Sequence, residues 1–352
     1  MNILISGVGG PTPRSVSRSI KISKYAKKSK LFGTEIQRFV YGLYESDLYE
    51  ENIIVPKSRD KKYWDVLRAF IKENDIKYAM IHPENAVLEW SFFKKNGGIW
   101  PCKTILPDYD LVKILLNKGE MTSILKDSGF VPQSYVLKPE ELDLSKLEEQ
   151  LHYPFWIRST SGSSGLGSLK VENRESLKNW FTINPLVSEF IASAFLPKRN
   201  LACKLLYYNG ELIRSASAER VNYIMSKVAP SGITGNTSFG RLLNEPDLVD
   251  KAICAMDLLF EYTNTKKHGF FTVDFKEDID GRPYITEINV RMVAFNYSFA
   301  LGGANFSEDI LALLSNDPLF DKTYKMYEFD PNTIFLRDVD VEPILMKESE
   351  LL

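Results

Sequence analysis

Cysteine and histidine are scarce in this sequence, which contains three of each among 352 residues. The cysteines, Cys102, Cys203 and Cys254, are far apart, and none has the spacing to another cysteine or to a histidine that is typical of zinc ligands. This pattern favours reduced thiols over a disulfide framework or a structural zinc site. No convincing Ser-His-Asp or Cys-His arrangement is present, so we do not expect a nucleophilic side chain to carry the chemistry.

The sequence also lacks long apolar runs and an excess of either charge. Its 44 basic residues nearly balance its 46 acidic ones, and the formal net charge is −2. We therefore expect no nucleic-acid partner, and we interpret the basic stretch at residues 21–30 as a solvated helix face. The apolar run within residues 1–10 is too short for a signal peptide, and no stretch is long enough to span a bilayer. These absences predict a cytoplasmic protein without a membrane partner.

The amino-terminal segment begins with a strand, a glycine turn and a helix. Residues 2–6 are apolar, residues 7–10 are rich in glycine, and residues 14–27 have helical spacing. Such an order is typical of dinucleotide-binding units, but Pro11 and Pro13 interrupt the G-x-G-x-x-G pattern. A nicotinamide site is therefore not favoured.

The next elements predict a small α/β unit with a mostly parallel sheet. Strand-like runs at residues 38–43 and 78–82 alternate with an amphipathic helix at residues 61–73. The second run ends in His-Pro-Glu-Asn, which includes Glu84. Strand ends of parallel sheets collect ligands, although a capped turn explains this motif equally well.

A second strand-rich part of the chain contains a predicted hairpin with a polar face. The apolar runs at residues 270–275 and 284–288 flank an Asp280-Gly281 turn. Because side chains alternate along a strand, one face gathers polar groups from both strands: Asp274, Glu287, Asn289 and Arg291. Oxygen donors of this kind suit Mg²⁺ completed by nucleotide phosphates, and the guanidinium suits a carboxylate or phosphate. A solvent-facing polar row remains the alternative.

A loop of small residues at 159–168 follows an apolar strand at residues 153–158 that ends in Arg158. Small residues let backbone N–H groups approach anionic oxygens, so this loop favours a phosphate nest. A flexible linker is the alternative, but a second strand at residues 169–171 indicates a hairpin.

Later segments predict another hairpin at residues 201–208 and 211–217, a helix at residues 245–262, and a final helix opened by residues 299–305. A closing strand is predicted at residues 333–339. Between these elements, Arg220 and the glycine-bearing residues 231–235 are candidates to hold an acceptor substrate.

The run Glu-Ile-Asn-Val-Arg at residues 287–291, with Asp274 on the preceding strand, resembles the ATP-grasp superfamily. Within it, the chain is most similar to the carbamoyl phosphate synthase large-subunit type of carboxylate-amine ligase. Val290 stands where many members have proline. The resemblance implies an α/β and α+β fold: an amino-terminal parallel-sheet unit at residues 1–106, then a two-lobed ATP-grasp fold with a phosphate-loop lobe at 107–185 and a metal-site lobe at 186–352.

The resemblance also assigns roles to individual residues. It implies catalytic roles for Arg158 and Arg291, and metal ligation by Asp274, Glu287 and Asn289. Arg220 is added as a catalytic candidate from its own segment, with a surface residue as the alternative. The hinge strand at residues 186–191 would hold the adenine, and Asn200 is the nearest match to a ribose ligand. The residues implied to bind the nucleotide are Lys118, Arg158, Ser161, Ser163, Gly165, Glu189, Phe190, Ile191 and Asn200.

The expected function is that of an ATP-dependent ligase that joins a carboxylate to an amine, or a similar nucleophile, through an acyl phosphate. The resemblance implies ATP and Mg²⁺ or Mn²⁺ as cofactors, small carboxylate and amine substrates, and a possible homodimer. Two alternatives remain open: a non-catalytic nucleotide-binding regulatory protein, and a phosphotransferase that stops after phosphoryl transfer.

Overall fold

The structure is a computed structural model that describes residues 1–162, 165, 167–339 and 344–350. Three β-sheets organise it, one of them parallel. Within the described residues, no helix combines the length and the apolar character that a membrane span requires.

The amino-terminal unit is a parallel sheet flanked by helices, as predicted. Its strands are β1 (Asn2–Ser6), β2 (Lys30–Glu35), β3 (Glu51–Ile54) and β4 (Tyr78–Met80), and its helices are α1 (Pro11–Lys21), α2 (Tyr63–Glu73) and α3 (Glu84–Lys95). The strand order is β3-β2-β1-β4, with β1 parallel to both of its neighbours.

Two sequence predictions for this unit are wrong. Residues 38–43 form no strand; they are a loop that ends in a 3-10 turn at Tyr41–Leu43, and Phe39 and Tyr41 are exposed. The second strand of the sheet is β2, whose apolar residues are buried beside β1. The first helix starts at Pro11 and not at Arg14, because proline is tolerated in the first turn of a helix, where its missing N–H has no partner to lose.

The second sheet is small and antiparallel. Two helices, α4 (Tyr109–Leu115) and α5 (Lys118–Leu125), lead into it. Asp108 and Asn117 cap them by accepting hydrogen bonds from the first-turn amides. The sheet consists of β5 (Ser134–Leu137), β6 (Phe155–Ser159), β7 (Leu169–Val171) and β8 (Phe190–Ala194), with helices α6 (Leu144–Gln150) and α7 (Arg174–Ile183). Its strand order is β5-β8-β6-β7.

The third sheet is the largest and carries the predicted metal hairpin. Its strands are β9 (Asn200–Tyr208), β10 (Glu211–Tyr223), β11 (Thr237–Leu243), β12 (Gly269–Glu277), β13 (Pro283–Asn289), β14 (Lys325–Met326), β15 (Thr333–Leu336) and β16 (Ile344–Lys347). The order is β13-β12-β9-β10-β11-β15-β16, and β14 pairs with β10. The helices of this part are α8 (Pro246–Thr263), α9 (Asn296–Leu301) and α10 (Phe306–Ser315).

The helix expected to open at residues 299–305 is two helices, because a turn at Gly302 and Gly303 separates α9 from α10. The predicted hairpins agree with β9–β10 and β12–β13. The domain boundaries stay a prediction; β8, which follows residue 185, belongs to the same sheet as β6.

Candidate active site between the small and large sheets

The hairpin β12–β13 places its polar side chains in one row. Asp274 lies directly opposite Glu287, and Thr272 opposite Asn289, in the antiparallel register. The turn between the strands contains Gly281, whose φ of 84° is the left-handed conformation that glycine adopts at low cost. The row faces inward, since Asp274 is only 9% exposed.

Asp274 is surrounded by polar partners. An Arg220 guanidinium nitrogen lies 3.1 Å from its Oδ1, and the Asn289 amide donates to its Oδ2 at 3.0 Å. Burial raises the pKa of Asp274 above its ordinary value, and the nearby Glu287 raises it further, whereas Arg220 opposes the shift. A second cation beside this carboxylate would therefore be favoured.

Glu287 has the opposite pKa shift. Burial opposes ionisation, but Lys118 and Arg158 outweigh it and lower the pKa of the carboxyl. The Lys118 Nζ lies 3.3 Å from Glu287 Oε1, and an Arg158 nitrogen lies 4.0 Å from Oε2. Glu287 is therefore an anion between two cations.

Arg158 connects the small sheet to the large one. It lies on β6, and its guanidinium donates to the backbone oxygen of Thr286 on β13. Burial lowers the pKa of Arg158, and the charges of Glu287 and Asp274 offset part of that shift. The result is a buried cation between the two sheets, close to the carboxylate row.

Lys118 is tied to the start of the predicted phosphate loop. Its amide donates to the Thr160 carbonyl oxygen at 2.8 Å, and its Nζ donates to the Gly162 oxygen at 2.8 Å. Further along the loop, the Trp180 indole donates to the Gly167 oxygen at 2.9 Å. Ser161 is exposed, and Ser163 lies outside the described residues.

A cavity of about 930 Å³ lies between the two sheets, and the amino-terminal unit also contributes to its wall. Most of the residues predicted for the site line it: Lys118, Arg158, Gly165, Ile191, Asn200, Arg220, Asp274, Glu287, Asn289 and Arg291. Ser161, Glu189 and Phe190 do not belong to this lining. Among the described residues, no group of three or more His, Cys, Asp or Glu side chains is arranged to hold a metal ion.

The residues of the predicted hinge have different surroundings: some pack in the core of the small sheet, and others line the cavity. Phe190 is fully buried in the core of the small sheet, where its ring contacts Phe181. The Glu189 carboxylate accepts a hydrogen bond from the Thr160 hydroxyl at 3.0 Å, and Ile191 lines the cavity. The strand β8 begins at Phe190, four residues later than the predicted hinge strand.

Arg291 joins the large sheet to the amino-terminal unit. Its guanidinium lies 2.8 Å from the Glu84 carboxylate at the start of α3, and its buried Nε has no hydrogen-bond partner among the described residues. His82 lies in the same wall of the cavity and is 3% exposed. Burial and, to a smaller extent, the charge of Arg291 lower the pKa of His82 to about 3, although backbone hydrogen bonds with Ser6 and Met80 oppose the shift.

Two further cations near the site were not identified from the sequence. Lys204 is fully buried on β9, where its Nζ donates to the Asn296 side chain at 2.8 Å and lies 4.4 Å from the Phe299 ring centroid. Burial lowers its pKa well below the ordinary value. A lysine inside the apolar run of residues 201–206 was the available signal. Arg337 has no such local signal, because its contact, a hydrogen bond of 2.7 Å to the Thr237 carbonyl oxygen, is tertiary.

Comparisons with known proteins identify the fold. No protein-family model matches the sequence, and no curated protein matches it. Among solved structures, an N5-carboxyaminoimidazole synthetase from Staphylococcus aureus complexed with ADP has a TM-score of 0.71 at 18% identity, covering 95% of this chain and 81% of that one. An L-amino acid ligase from Bacillus licheniformis has a TM-score of 0.66 at 17% identity, covering 95% and 78%.

A third similar structure is the biotin carboxylase domain of the Hydrogenobacter thermophilus 2-oxoglutarate carboxylase, in complex with MgADP, ADP and bicarbonate. Its TM-score is 0.67 at 12% identity, and the match covers 96% of this chain and 74% of that one. The three alignments each span nearly the whole of this chain, from the parallel sheet to the large antiparallel sheet. The chain therefore has the ATP-grasp fold.

Proposed function

We propose that this chain is an ATP-dependent ligase that joins a carboxylate to an amine, or a similar nucleophile, through an acyl-phosphate intermediate. One observation carries the proposal: two buried cations from the small-sheet side, Lys118 and Arg158, meet the carboxylate row of the large sheet beside one cavity. The closely spaced cations suit the phosphates of a nucleoside triphosphate, and the carboxylates beside them suit its metal ion. The ADP and MgADP complexes of the similar structures support this proposal.

The nucleotide would lie between the sheets with its phosphates at Lys118 and Arg158. Both side chains are nearly buried, so their charges act in a medium that screens them poorly. The loop that begins at Thr160 would add backbone N–H groups, as small residues permit. Apolar side chains that line the same cavity, including Ile191 and Phe195, would flank the base.

The carboxylate row fits a magnesium ion. Asp274 and Glu287 lie opposite each other, and each raises the cost of ionising the other; a divalent cation would remove that cost. The Asn289 side chain, 3.0 Å from Asp274, would supply a third oxygen after its amide rotates. When bound, Mg²⁺ would neutralise phosphate charge and hold the phosphates in line for transfer.

The reaction has two displacements. A carboxylate oxygen of the substrate attacks the γ-phosphorus, the bond to the β-phosphate oxygen breaks, and ADP leaves. The amine then attacks the acyl carbon, inorganic phosphate leaves, and the amine loses a proton to solvent. Arg220 and Arg291 line the cavity and would hold the carboxylate and stabilise the charged tetrahedral intermediate.

The test is ADP release in the presence of MgATP and pairs of small carboxylates and amines. We expect release to require Mg²⁺ and both members of one pair. A phosphotransferase would instead release ADP with a single substrate and yield a phosphorylated product. Absence of nucleotide binding under all conditions would contradict the proposal.

A further inference from the structure

The segment that leaves β13 changes from charged to apolar along one wall of the cavity. Residues 288, 290 and 292 are buried in the core, whereas the residues between and beside them line the cavity: Glu287, Asn289, Arg291 and Val293. Side chains alternate between two faces along a strand, and this burial pattern shows that the alternation continues to residue 293. The wall therefore begins at the proposed metal site, passes a guanidinium and ends in an aliphatic side chain.

The amino-terminal unit continues this wall beyond Arg291. The Arg291 guanidinium lies 2.8 Å from the carboxylate of Glu84, which follows Pro83 in the sequence. Pro83 packs closely on the glycine turn, since a Cβ atom added to Gly7 would lie 2.5 Å from the Pro83 Cγ. Pro83 and Gly7 both line the cavity. The guanidinium is therefore next to a surface of proline and glycine.

Helix α1 encloses the same part of the cavity. Its first residues and its N-cap, residues 10–13, belong to the lining. The Tyr297 amide donates to the Ser15 hydroxyl at 2.7 Å, which fixes α1 against α9. Because α9 starts three residues after Val293, the helix is also fixed close to the segment that carries Val293 and Ala294, which both line the cavity.

We call this part of the cavity the apolar end, and it consists of Gly7, residues 10–13, Pro83, Val293 and Ala294. None of these residues has a charged side chain. His82 lines the cavity beside Pro83, and burial lowers its pKa so far that the imidazole is neutral at neutral pH. The charged groups of the wall therefore stop at Arg291.

The first turn of α1 is poorly suited to an anion. The amino terminus of a helix attracts anions mainly through its free N–H groups. Pro11 and Pro13 have no N–H, and the Gly10 amide already donates to the Gly7 carbonyl oxygen at 3.0 Å. A phosphate or a second carboxylate would therefore find few donors in the apolar end.

We propose that the carboxylate substrate has an uncharged, apolar body that occupies the apolar end. This inference rests on the proposed function, because it names the class of carboxylate that the ligase takes. In the proposed reaction the carboxylate faces the phosphates beside the metal site, so the rest of the substrate would extend the other way, past Arg291 toward Val293. An aliphatic group gains free energy when it leaves water there, whereas a second carboxylate would lose its hydration without a partner.

The experiment compares ligands of nearly equal shape that differ in the charge of the body. The monocarboxylate 4-methylpentanoate has an isopropyl group where succinate has a second carboxylate, and leucine differs from aspartate in the same way. Each ligand is titrated calorimetrically into the full chain with saturating MgADP, which measures binding without turnover. Each is then supplied with MgATP and a series of amines, and ADP release is measured.

Val293→Lys places a cation in the apolar end and tests whether the body of the substrate lies there. Ile99→Lys is the matched control, because it introduces the same charge at an aliphatic side chain that is 83% exposed. Val293→Thr keeps the shape of the side chain and replaces one methyl group by a hydroxyl group. Thermal unfolding verifies that each variant is folded, and Val293→Thr carries the test if Val293→Lys does not fold.

We expect 4-methylpentanoate and leucine to bind at least about tenfold more tightly than succinate and aspartate, the discrimination that a small apolar contact provides. Val293→Lys should abolish or reverse this preference, Val293→Thr should reduce it, and Ile99→Lys should leave it unchanged.

Equal or reversed preference in the unaltered chain, binding of none of the four ligands, or a preference that the folded Val293 variants leave unchanged would overturn the inference. ADP release with succinate or aspartate in preference to the apolar ligands would overturn the inference and leave the proposed function intact. Tight binding of the apolar ligands that depends on Val293, without ADP release for any amine, would contradict only the proposed function.

Discussion

Asp274 and Glu287 lie opposite each other on neighbouring strands, yet their pKa values shift in opposite directions. Burial raises the pKa of Asp274, whereas Lys118 and Arg158 lower that of Glu287. We therefore expect the two acidic side chains to have different tasks. Glu287 would hold Lys118 and Arg158 in place, and Asp274 would gain most from a metal ion.

The double variant Glu287→Gln with Asn289→Ala tests the metal site. We expect Mg²⁺-dependent ATP turnover to fall at least about a hundredfold, comparable to the loss of a major electrostatic contact. ATP binding without metal should persist, because Glu287→Gln removes the negative charge beside Lys118 that would repel the phosphates. ADP release at increasing Mg²⁺ and nucleotide titration without metal measure these effects, with Glu261→Gln on the surface of α8 as control. Turnover near that of the unaltered chain would show that the metal ligands are misassigned.

Arg158→Ala tests the cation between the sheets. We expect weaker ATP binding and phosphoryl transfer slower by about 10² to 10³, since a buried guanidinium beside the phosphates would be lost. The Thr286 carbonyl also loses its donor, so the melting temperature should be measured in parallel. Arg174→Ala, which removes an exposed arginine paired with Glu148, is the control. Unchanged ATP affinity and rate would assign Arg158 a purely structural role.

The lowered pKa of His82 predicts that the folded chain loses stability in acid. Its pKa of about 3 in the folded chain lies below the ordinary value of 6.5, so between these values the unfolded chain binds a proton that the folded chain does not. The free energy of unfolding should therefore fall as the pH drops below 6.5, by up to about 1.4 kcal/mol per pH unit from this residue. Urea unfolding of the His82→Gln variant between pH 7 and 4.5 should show a flatter slope. The exposed His152→Gln variant should keep the steep slope.

At the scale of elements, the predicted phosphate loop is held against the segment that follows β10. A Cβ atom added to Gly165 would lie 2.6 Å from the Ile233 carbonyl oxygen, and the φ of Gly165 is +75°. The loop therefore requires glycine at this position for two reasons, the left-handed backbone and the close approach of another chain segment.

Gly165→Ala should displace the loop and raise the KM for ATP roughly tenfold or more. Gly129→Ala is a matched control, because Gly129 has a φ of +72° but no atom within 4 Å of the added Cβ. This variant introduces the same backbone strain, about 1 kcal/mol, outside the loop. Similar KM values for the two variants would mean that the contact with Ile233 does not position the loop.

Elements that depend on local signals were predictable from the sequence, and those that depend on tertiary packing were not. The pairing of β12 with β13 was predictable from two apolar runs joined by an Asp-Gly turn, whereas the register shift between Asp274 and Phe275 was not. The strand β2 was missed, because the apolar residues at 31 and 32 are too few to be distinguished from the basic segment before them. The helix α3 was missed because Pro83 resembles a stop signal, although it precedes the first turn of the helix.

In the candidate site, too, residues with a local sequence signal were predictable and residues brought in by tertiary packing were not. The side chains of Asp274, Glu287 and Asn289 were predictable because one hairpin carries them. Their partners come from distant segments: Arg220 from β10, Lys118 from α5, and Glu84, which pairs with Arg291, from the amino-terminal unit. No periodicity in a single sequence encodes such pairings, so they were not predicted.

At the scale of the whole molecule, one cavity is shared by three parts of the chain. The small sheet contributes Arg158, the large sheet contributes Asp274, and the amino-terminal unit contributes His82. The contacts Arg158–Thr286 and Arg291–Glu84 cross between these parts. Under the proposed function, the substrate carboxylate, the nucleotide and the acceptor would meet where the three parts meet, and this would help to keep water from the acyl phosphate.

The most direct measurement of the central claim is isotope transfer from the carboxylate. With the pair found by ADP release, the carboxylate substrate is labelled with ¹⁸O in both oxygens, and the released phosphate is examined by mass spectrometry. An acyl-phosphate ligase leaves one labelled oxygen in each phosphate, because that oxygen bridges the acyl carbon and the phosphorus before the amine attacks. Unlabelled phosphate released together with the joined product would contradict the acyl-phosphate mechanism.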